Sequence, residues 1–222
     1  MSEKIILQMH TPTPFFSVII PTHNRAQLIT RALDSLISQT EKNWEAIIVD
    51  DESTDETKKI LFPYLKNNTN IIYIHQKNQG AAKAKNTGIS AASGKFISFL
   101  DSDDEYESTH LETRKKVLEK NPLITFLYGG LKIIGNEFVP DRIDPSKKIH
   151  LSKCVVGGTF FIEKNLLKSL NGFKNILIGE DADLFNRIKE TNATTQISEH
   201  ATYIYHHETE DSVTNSFVMK AV

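Results

Sequence analysis

"FISFLDSDDEYE", residues 96–107, opens as an uninterrupted apolar run and closes with five acids among its last seven residues. The apolar half has the length and continuity of a strand buried on both faces. Acids packed as densely as those from Asp101 to Glu107 repel one another, so their crowding needs a reason. Three are open: a solvated turn, a helix start, or a cation site.

The same grammar of apolar strand, polar loop and helix recurs upstream. "FSVIIPT" (16–22), "WEAIIVDD" (44–51) and "NIIYIHQ" (70–76) read as strands, and "KFISFLD" (95–101) is the fourth. Between them lie helical patterns. Leu28, Ile29, Ala32, Leu33, Leu36 and Ile37 recur at helical spacing behind Asn24 as a cap, with Gln27 three residues on. Ser53-Thr54-Asp55-Glu56 reads as a capping box opening a helix through about Leu65, and "GAAKAKNTGISAA" (80–92) as a third helix. Thr109 with Glu112 opens a fourth that ends near Asn121-Pro122. Strands about 25 residues apart, apolar on both faces and separated by helices, specify an α/β fold. It is a Rossmann-like, mostly parallel sheet with helices on both faces. Right-handed crossovers put every strand's carboxyl end on one edge, where ligands bind. His23-Asn24, Asp50-Asp51 and Asp101–Asp104 all follow strand ends, so they are expected to converge.

After Pro122 the rhythm changes. "TFLYGGLKIIGNEFVP" (125–140) reads as a strand pair turning at Gly135-Asn136, and "ATYIYHH" (201–207) as a last strand. With no linker or repeat in sight, the expectation is one domain over 1–222. About 16–121 would form a nucleotide-binding half and about 122–222 an acceptor-binding half.

With 39% hydrophobic and 24% charged residues in 222, the chain can bury a sizeable core. A net charge of −2 carries no footprint for nucleic acid. The single cysteine, Cys154, leaves no intramolecular disulfide and reads as a core thiol on a strand over 153–156. The leader is too short in apolar residues for a signal-peptide core, and no run approaches a spanning helix. A cytoplasmic protein is expected, with peripheral membrane association compatible.

Acids at the start of a helix are favoured by its dipole, which accounts for Glu105 and Glu107. Asp101 and Asp103 lie too early for that. Two loop aspartates two residues apart can share a hard cation, Mg2+ or Mn2+, leaving positions for water and a diphosphate. A carboxylate of Asp50-Asp51 could accept hydrogen bonds from a nucleobase or ribose. Lys83 and Lys85 point about 200° apart on their helix, so at most one faces a ligand. Glu180-Asp181 reads as an acidic helix start before residues 182–190. Strand alternation sends His206 and His207 to opposite faces, one toward the site and one exposed.

Taken together and in order, "SVIIPTHNR", "SLISQT" with "WEAIIVDDESTDET", "NQGAAKAKNTGISAASGKFISFLDSDD" and "GEDADL" resemble the inverting family 2 of nucleotide-sugar glycosyltransferases. The likeness spans roughly residues 16–190. It implies the GT-A-type fold, an Asp-x-Asp metal loop and a nucleotide-diphosphate sugar donor, a UDP-sugar first. It also implies a saccharide or lipid-linked saccharide acceptor, in bacterial cell-surface polysaccharide synthesis. By that resemblance Pro21, His23, Asp50, Asp51, Lys83, Asp101 and Ser102 bind the nucleotide sugar. Asp103, with Asp101, holds the metal, with His206 or His207 as a further ligand, and Asp181 is the catalytic base. One departure is Ala84-Lys85-Asn86 where the family has Ala-Arg-Asn, since a lysine cannot make an arginine's bidentate phosphate contacts. The tail also lacks the aromatic-basic motif that often follows the last strand.

Two alternatives stay open. A sugar nucleotidyltransferase on a similar sheet would need a glycine-rich loop after the first strand, and "PTHNRAQ" has none. A non-catalytic nucleotide-binding module is opposed by intact Asp101, Asp103 and Asp181.

Overall fold

The computed structural model describes residues 13–207 except 142, 143, 145, 177 and 178. The leader through Pro12 therefore lies outside the described residues, as does the tail beyond His207. The chain runs β1 (Phe16–Thr22), α1 (Ile29–Ile37), β2 (Trp44–Asp51), α2 (Thr57–Asn67), β3 (Ile71–Gln76), α3 (Ala81–Ala91) and β4 (Phe96–Phe99). Next come β5 (Glu105–Tyr106), α4 (His110–Lys120), β6 (Phe126–Tyr128), β7 (Leu131–Gly135), β8 (Phe138–Pro140) and β9 (Lys148–His150). It closes with β10 (Phe161–Glu163), α5 (Lys164–Ser169), α6 (Glu180–Lys189), β11 (Thr195–Ile197) and β12 (Tyr203–His207).

Among the described residues a seven-stranded sheet has the order β11-β6-β10-β4-β1-β2-β3. β4, β1, β2 and β3 are parallel, β10 is antiparallel to both β4 and β6, and β11 is parallel to β6. This is the mostly parallel, mixed sheet expected. The strands are apolar throughout because alternate residues feed opposite cores. Val18, Ile20, Ala46 and Ile48 pack with α1 and α4 through Leu33, Leu36, Leu111 and Leu118. Ile19, Ile47, Val49, Ile97 and Phe99 pack with α3, α5 and α6 through Ile89, Leu167, Leu184 and Ile188.

Several local expectations give way to tertiary partners. Asn24 does not cap α1, which starts five residues later behind Leu28 without a side-chain cap. With φ at 52°, Asn24 instead accepts from the backbone N–H groups of Thr54 and Asp55 (2.8 and 3.3 Å). The Ser53 capping box is likewise not formed. Ser53 Oγ accepts from Asn24 N, while Asp55 accepts from Thr57 N and Ala26 N. The loops after β1 and β2 thus cap each other. Thr109 stands at the start of α4 without a cap bond, and Glu112 binds Thr40 and Lys116.

Residues 125–140 are not a hairpin. β7 runs parallel to β12, and β8 pairs antiparallel with β9. Cys154 is on no strand but just past a 3-10 turn over Leu151–Lys153, half-buried. Glu105 belongs to β5, antiparallel to β12, rather than to the start of α4.

Asp104 fastens the acid loop to the last strand. It is 1% exposed and accepts from Tyr203 Oη (2.6 Å) and His206 N (2.8 Å). Burial, then Asp101 and Asp103, push its carboxyl well above the usual carboxylate range, and these two donors oppose the shift. Tyr203→Phe should cost about 1–3 kcal/mol by leaving a buried carboxyl oxygen without its donor, read by urea denaturation. A loss below about 0.3 kcal/mol would show that Asp104 does not depend on Tyr203.

Candidate functional site

The loops leaving β1, β2 and β4 meet along the carboxyl edge of the sheet, as the crossover rule requires. Pro21 is half-buried on β1, beside Val49 of β2. His23 donates from Nδ1 to the Asp51 carbonyl at 2.7 Å, and its Nε2 accepts from Asn24. Asp51 is buried and its carboxylate is an organising anion. It accepts from Gln76 Nε2 (2.7 Å), Gln79 N (3.0 Å) and Gly80 N (2.8 Å), which ties residues 76–80 to β2 at the N-terminus of α3. Asp50 is committed inward: one oxygen accepts from Ser53 N (2.8 Å) and the other from Tyr73 Oη (2.7 Å). Asp50, at 1% exposed, and Asp51, at 3%, thus both give their carboxylate oxygens to donors of the protein at this edge.

The lysine that enters the site is Lys85, not Lys83. Lys83 lies on the exposed face of α3, while Lys85 is 4% exposed. Its Nζ lies 3.1 Å from Asp181 Oδ1 and 3.3 Å from Glu180 Oε1, above the ring of Phe173. Burial opposes the charge on Lys85, yet Asp181, Asp101 and Glu180 outweigh it and raise its pKa. Glu180 and Asp181 do not precede the helix: they form the first turn of α6, behind Gly179 in the left-handed conformation. Asp181 Oδ2 accepts from Gly157 N at 2.9 Å.

Asp101 lies two residues past the end of β4, half-buried, and Ser102 behind it is buried. Burial pushes the Asp101 carboxyl up to about 7, Lys85 opposes this, and Asp103, Asp181 and Glu180 add to it. Asp103 is half-buried, with its backbone oxygen held by the Arg31 guanidinium of α1. Four carboxylates, those of Asp101, Asp103, Glu180 and Asp181, therefore share one region with Lys85.

Within that region the oxygens of Asp101 and Asp103 are hard donors of the kind that suit a divalent cation such as magnesium or manganese. Among the described residues no cluster of three or more histidine, cysteine or acidic side chains could hold a metal. A two-aspartate clamp completed by ligand oxygens and water is the arrangement these residues suit.

The two histidines do not divide into one buried and one exposed. Both are buried, at 8% for His206 and 4% for His207. His206 Nε2 pairs with Glu105 Oε1 at 2.8 Å, and His207 Nδ1 donates to the Asn136 carbonyl at 2.6 Å. Sequence reasoning chose Lys83 over Lys85 and gave no role to Gly157, Arg31 or Tyr203.

A mostly parallel, mixed sheet with acids at the end of its second strand and just past its fourth, on one edge, is that of a GT-A-type transferase domain. The chain belongs to glycosyl transferase family 2, whose model matches residues 17–172. The model for the N-terminal domain of galactosyltransferase also matches, over residues 143–210.

Among curated relatives, the UDP-Glc:alpha-D-GlcNAc-diphosphoundecaprenol beta-1,3-glucosyltransferase WfgD of Escherichia coli is 33% identical over 156 residues, 68% of this chain and 61% of that protein. The minor teichoic acid biosynthesis protein GgaB of Bacillus subtilis is 34% identical over 206 residues, 86% of this chain and 23% of that protein. Among solved structures, S. aureus TarS 1-349 in complex with UDP-GlcNAc is 27% identical with a TM-score of 0.75. The match covers 89% of this chain and 60% of that one. The chain thus spans less than two thirds of each of these relatives. No helix among the described residues is long and apolar enough to cross a membrane.

Asp51→Ala should cost about 1–3 kcal/mol in urea denaturation, because the N–H groups of Gln79 and Gly80 lose their acceptor. An unchanged midpoint would contradict the anchoring role of its carboxylate.

Proposed function

We propose that this chain transfers a sugar, with inversion, from a UDP-sugar to a hydroxyl of a saccharide or lipid-linked saccharide. The setting proposed is bacterial cell-surface polysaccharide assembly at the cytoplasmic face of a membrane. The observation that carries the reading is the meeting of Asp101 and Asp103 with Asp181 around Lys85, on the same sheet edge as Asp51. WfgD and GgaB, by their names, serve a lipid-linked acceptor and teichoic acid synthesis, and the TarS structure holds UDP-GlcNAc. These support the donor and the setting.

In this reading Asp51 and His23, with Pro21 and Asp50 beside them, face the base of the nucleotide, and Asp101 and Ser102 lie on the side of its ribose. Residues after about 122 shape the acceptor side. Asp103 and Asp101 would hold Mn2+ or Mg2+, which when bound offsets the charge that develops on a departing diphosphate. Asp181 takes the proton of the acceptor hydroxyl while that oxygen attacks the anomeric carbon from the face opposite the leaving group. The C–O bond to the acceptor forms as the bond to the diphosphate breaks, so configuration inverts and no sugar is linked to the protein.

A panel of nucleotide sugars assayed with Mn2+ for nucleotide release tests this. UDP-sugars should be turned over fastest. Asp103→Ala should abolish the metal-dependent rate, and near-normal turnover would remove the metal role. Asp181→Asn should lower kcat by about 10²–10⁴ with donor KM nearly unchanged. An unaltered kcat would remove Asp181 as the base. UDP binding with no release from any donor would favour a non-catalytic nucleotide-binding module.

A further inference from the structure

The Asp181 carboxylate is held from two directions by parts of the chain far apart in sequence. Lys85 Nζ from α3 binds Oδ1 at 3.1 Å, and Gly157 N from a 3-10 turn over Gly157–Thr159 donates to Oδ2 at 2.9 Å. The lysine cannot drift. Its ammonium lies 4.9 Å above the Phe173 ring, which packs edge-on against Phe99 just ahead of Asp101. Asn86, the next residue, grips the Phe173 backbone with two hydrogen bonds of 2.8 and 2.9 Å. On the opposite side a side chain at position 157 would collide with the Asp181 carboxylate, and Gly157 needs no left-handed backbone. Glycine there leaves the N–H close to Oδ2.

We propose that Lys85 is a positioning residue for the base, working with the Gly157 N–H as a two-point cradle that fixes the Asp181 carboxylate toward the acceptor hydroxyl. The proposal rests on the reading of Asp181 as that base. Two of the three N–H donors of Lys85 are given to Asp181 and Glu180, which turns its ammonium toward the base. The cradle also joins the two ends of the reaction. Lys85 neutralises part of the charge that Asp181 and Asp101 would otherwise impose on each other, so base and cation clamp can stand close together.

The test compares Lys85→Met, Lys85→Arg, Gly157→Ala and Asp181→Asn by UDP release with Mn2+ from the UDP-sugar that the donor panel selects, alongside calorimetric binding of UDP. Lys85→Met should lower kcat about 100-fold, with donor KM and UDP affinity within about threefold of wild type. Lys85→Arg should recover most of kcat by restoring the cation. Gly157→Ala removes no charge and should lower kcat alone, by pushing the carboxylate aside. The double variant Lys85→Met with Asp181→Asn should be no slower than Asp181→Asn.

A loss carried by KM and UDP affinity would make Lys85 a diphosphate ligand and overturn the proposal. Additive losses in the double variant would place Lys85 in a different step and overturn it equally. A kcat for Gly157→Ala equal to wild type would break the cradle. A wild-type protein without turnover, or an indifferent Asp181→Asn, would instead overturn the reading beneath it.

Discussion

One buried ammonium amid four carboxylates sets the terms for this site. Asp101 and Asp103 come from the loop after β4, Glu180 and Asp181 from the first turn of α6 some eighty residues on, and Lys85 reaches the pair on α6 directly. That cation offsets part of the repulsion between the first turn of α6 and the loop after β4, since acids in a partly dry cleft repel strongly. Lys85 offsets only part of the charge. The remainder makes this edge a place for a cation and a ligand able to share it.

The placement of those acids follows from the sheet. Parallel strands with right-handed crossovers deliver the ends of β1, β2 and β4 to one edge, and antiparallel β10 and parallel β11 extend the sheet on the other side. The acid loop is then pinned from beneath. Asp104 accepts from Tyr203 and from the His206 backbone, and Glu105 pairs with His206. The run 101–107 therefore divides into the proposed cation clamp, an anchor to the last strand and a short strand of its own. Its crowding of acids reflects three tasks within seven residues.

The strands and helices of the first half, and the sheet edge on which their polar loops gather, were legible in the sequence. Continuous apolar runs and helical spacing depend on burial alone. What was not legible depended on partners remote along the chain. Asn24 and Ser53 have the chemistry of caps, but each loop offers its groups to the other loop instead. Asp50 and Asp51 look alike in sequence. Only the positions of Tyr73 and Gly80 decide which donors each one accepts from. Lys83 and Lys85 differ by where α3 rests on the sheet, which periodicity in an alanine-rich helix leaves undetermined. Gly135-Asn136 reads as a hairpin turn, yet β7 finds its partner in β12, about seventy residues away. Pairing between distant strands has no local signal.

Everything proposed for the reaction requires this sheet edge to bind a nucleoside diphosphate together with a divalent cation. The decisive measurement is calorimetric titration of UDP into the protein, once with Mn2+ and once with excess chelator. The expected result is saturable one-to-one binding with Mn2+ that weakens at least about tenfold when the metal is removed, a difference of about 1.4 kcal/mol. Equal affinity in both titrations, or no binding in either, would contradict it.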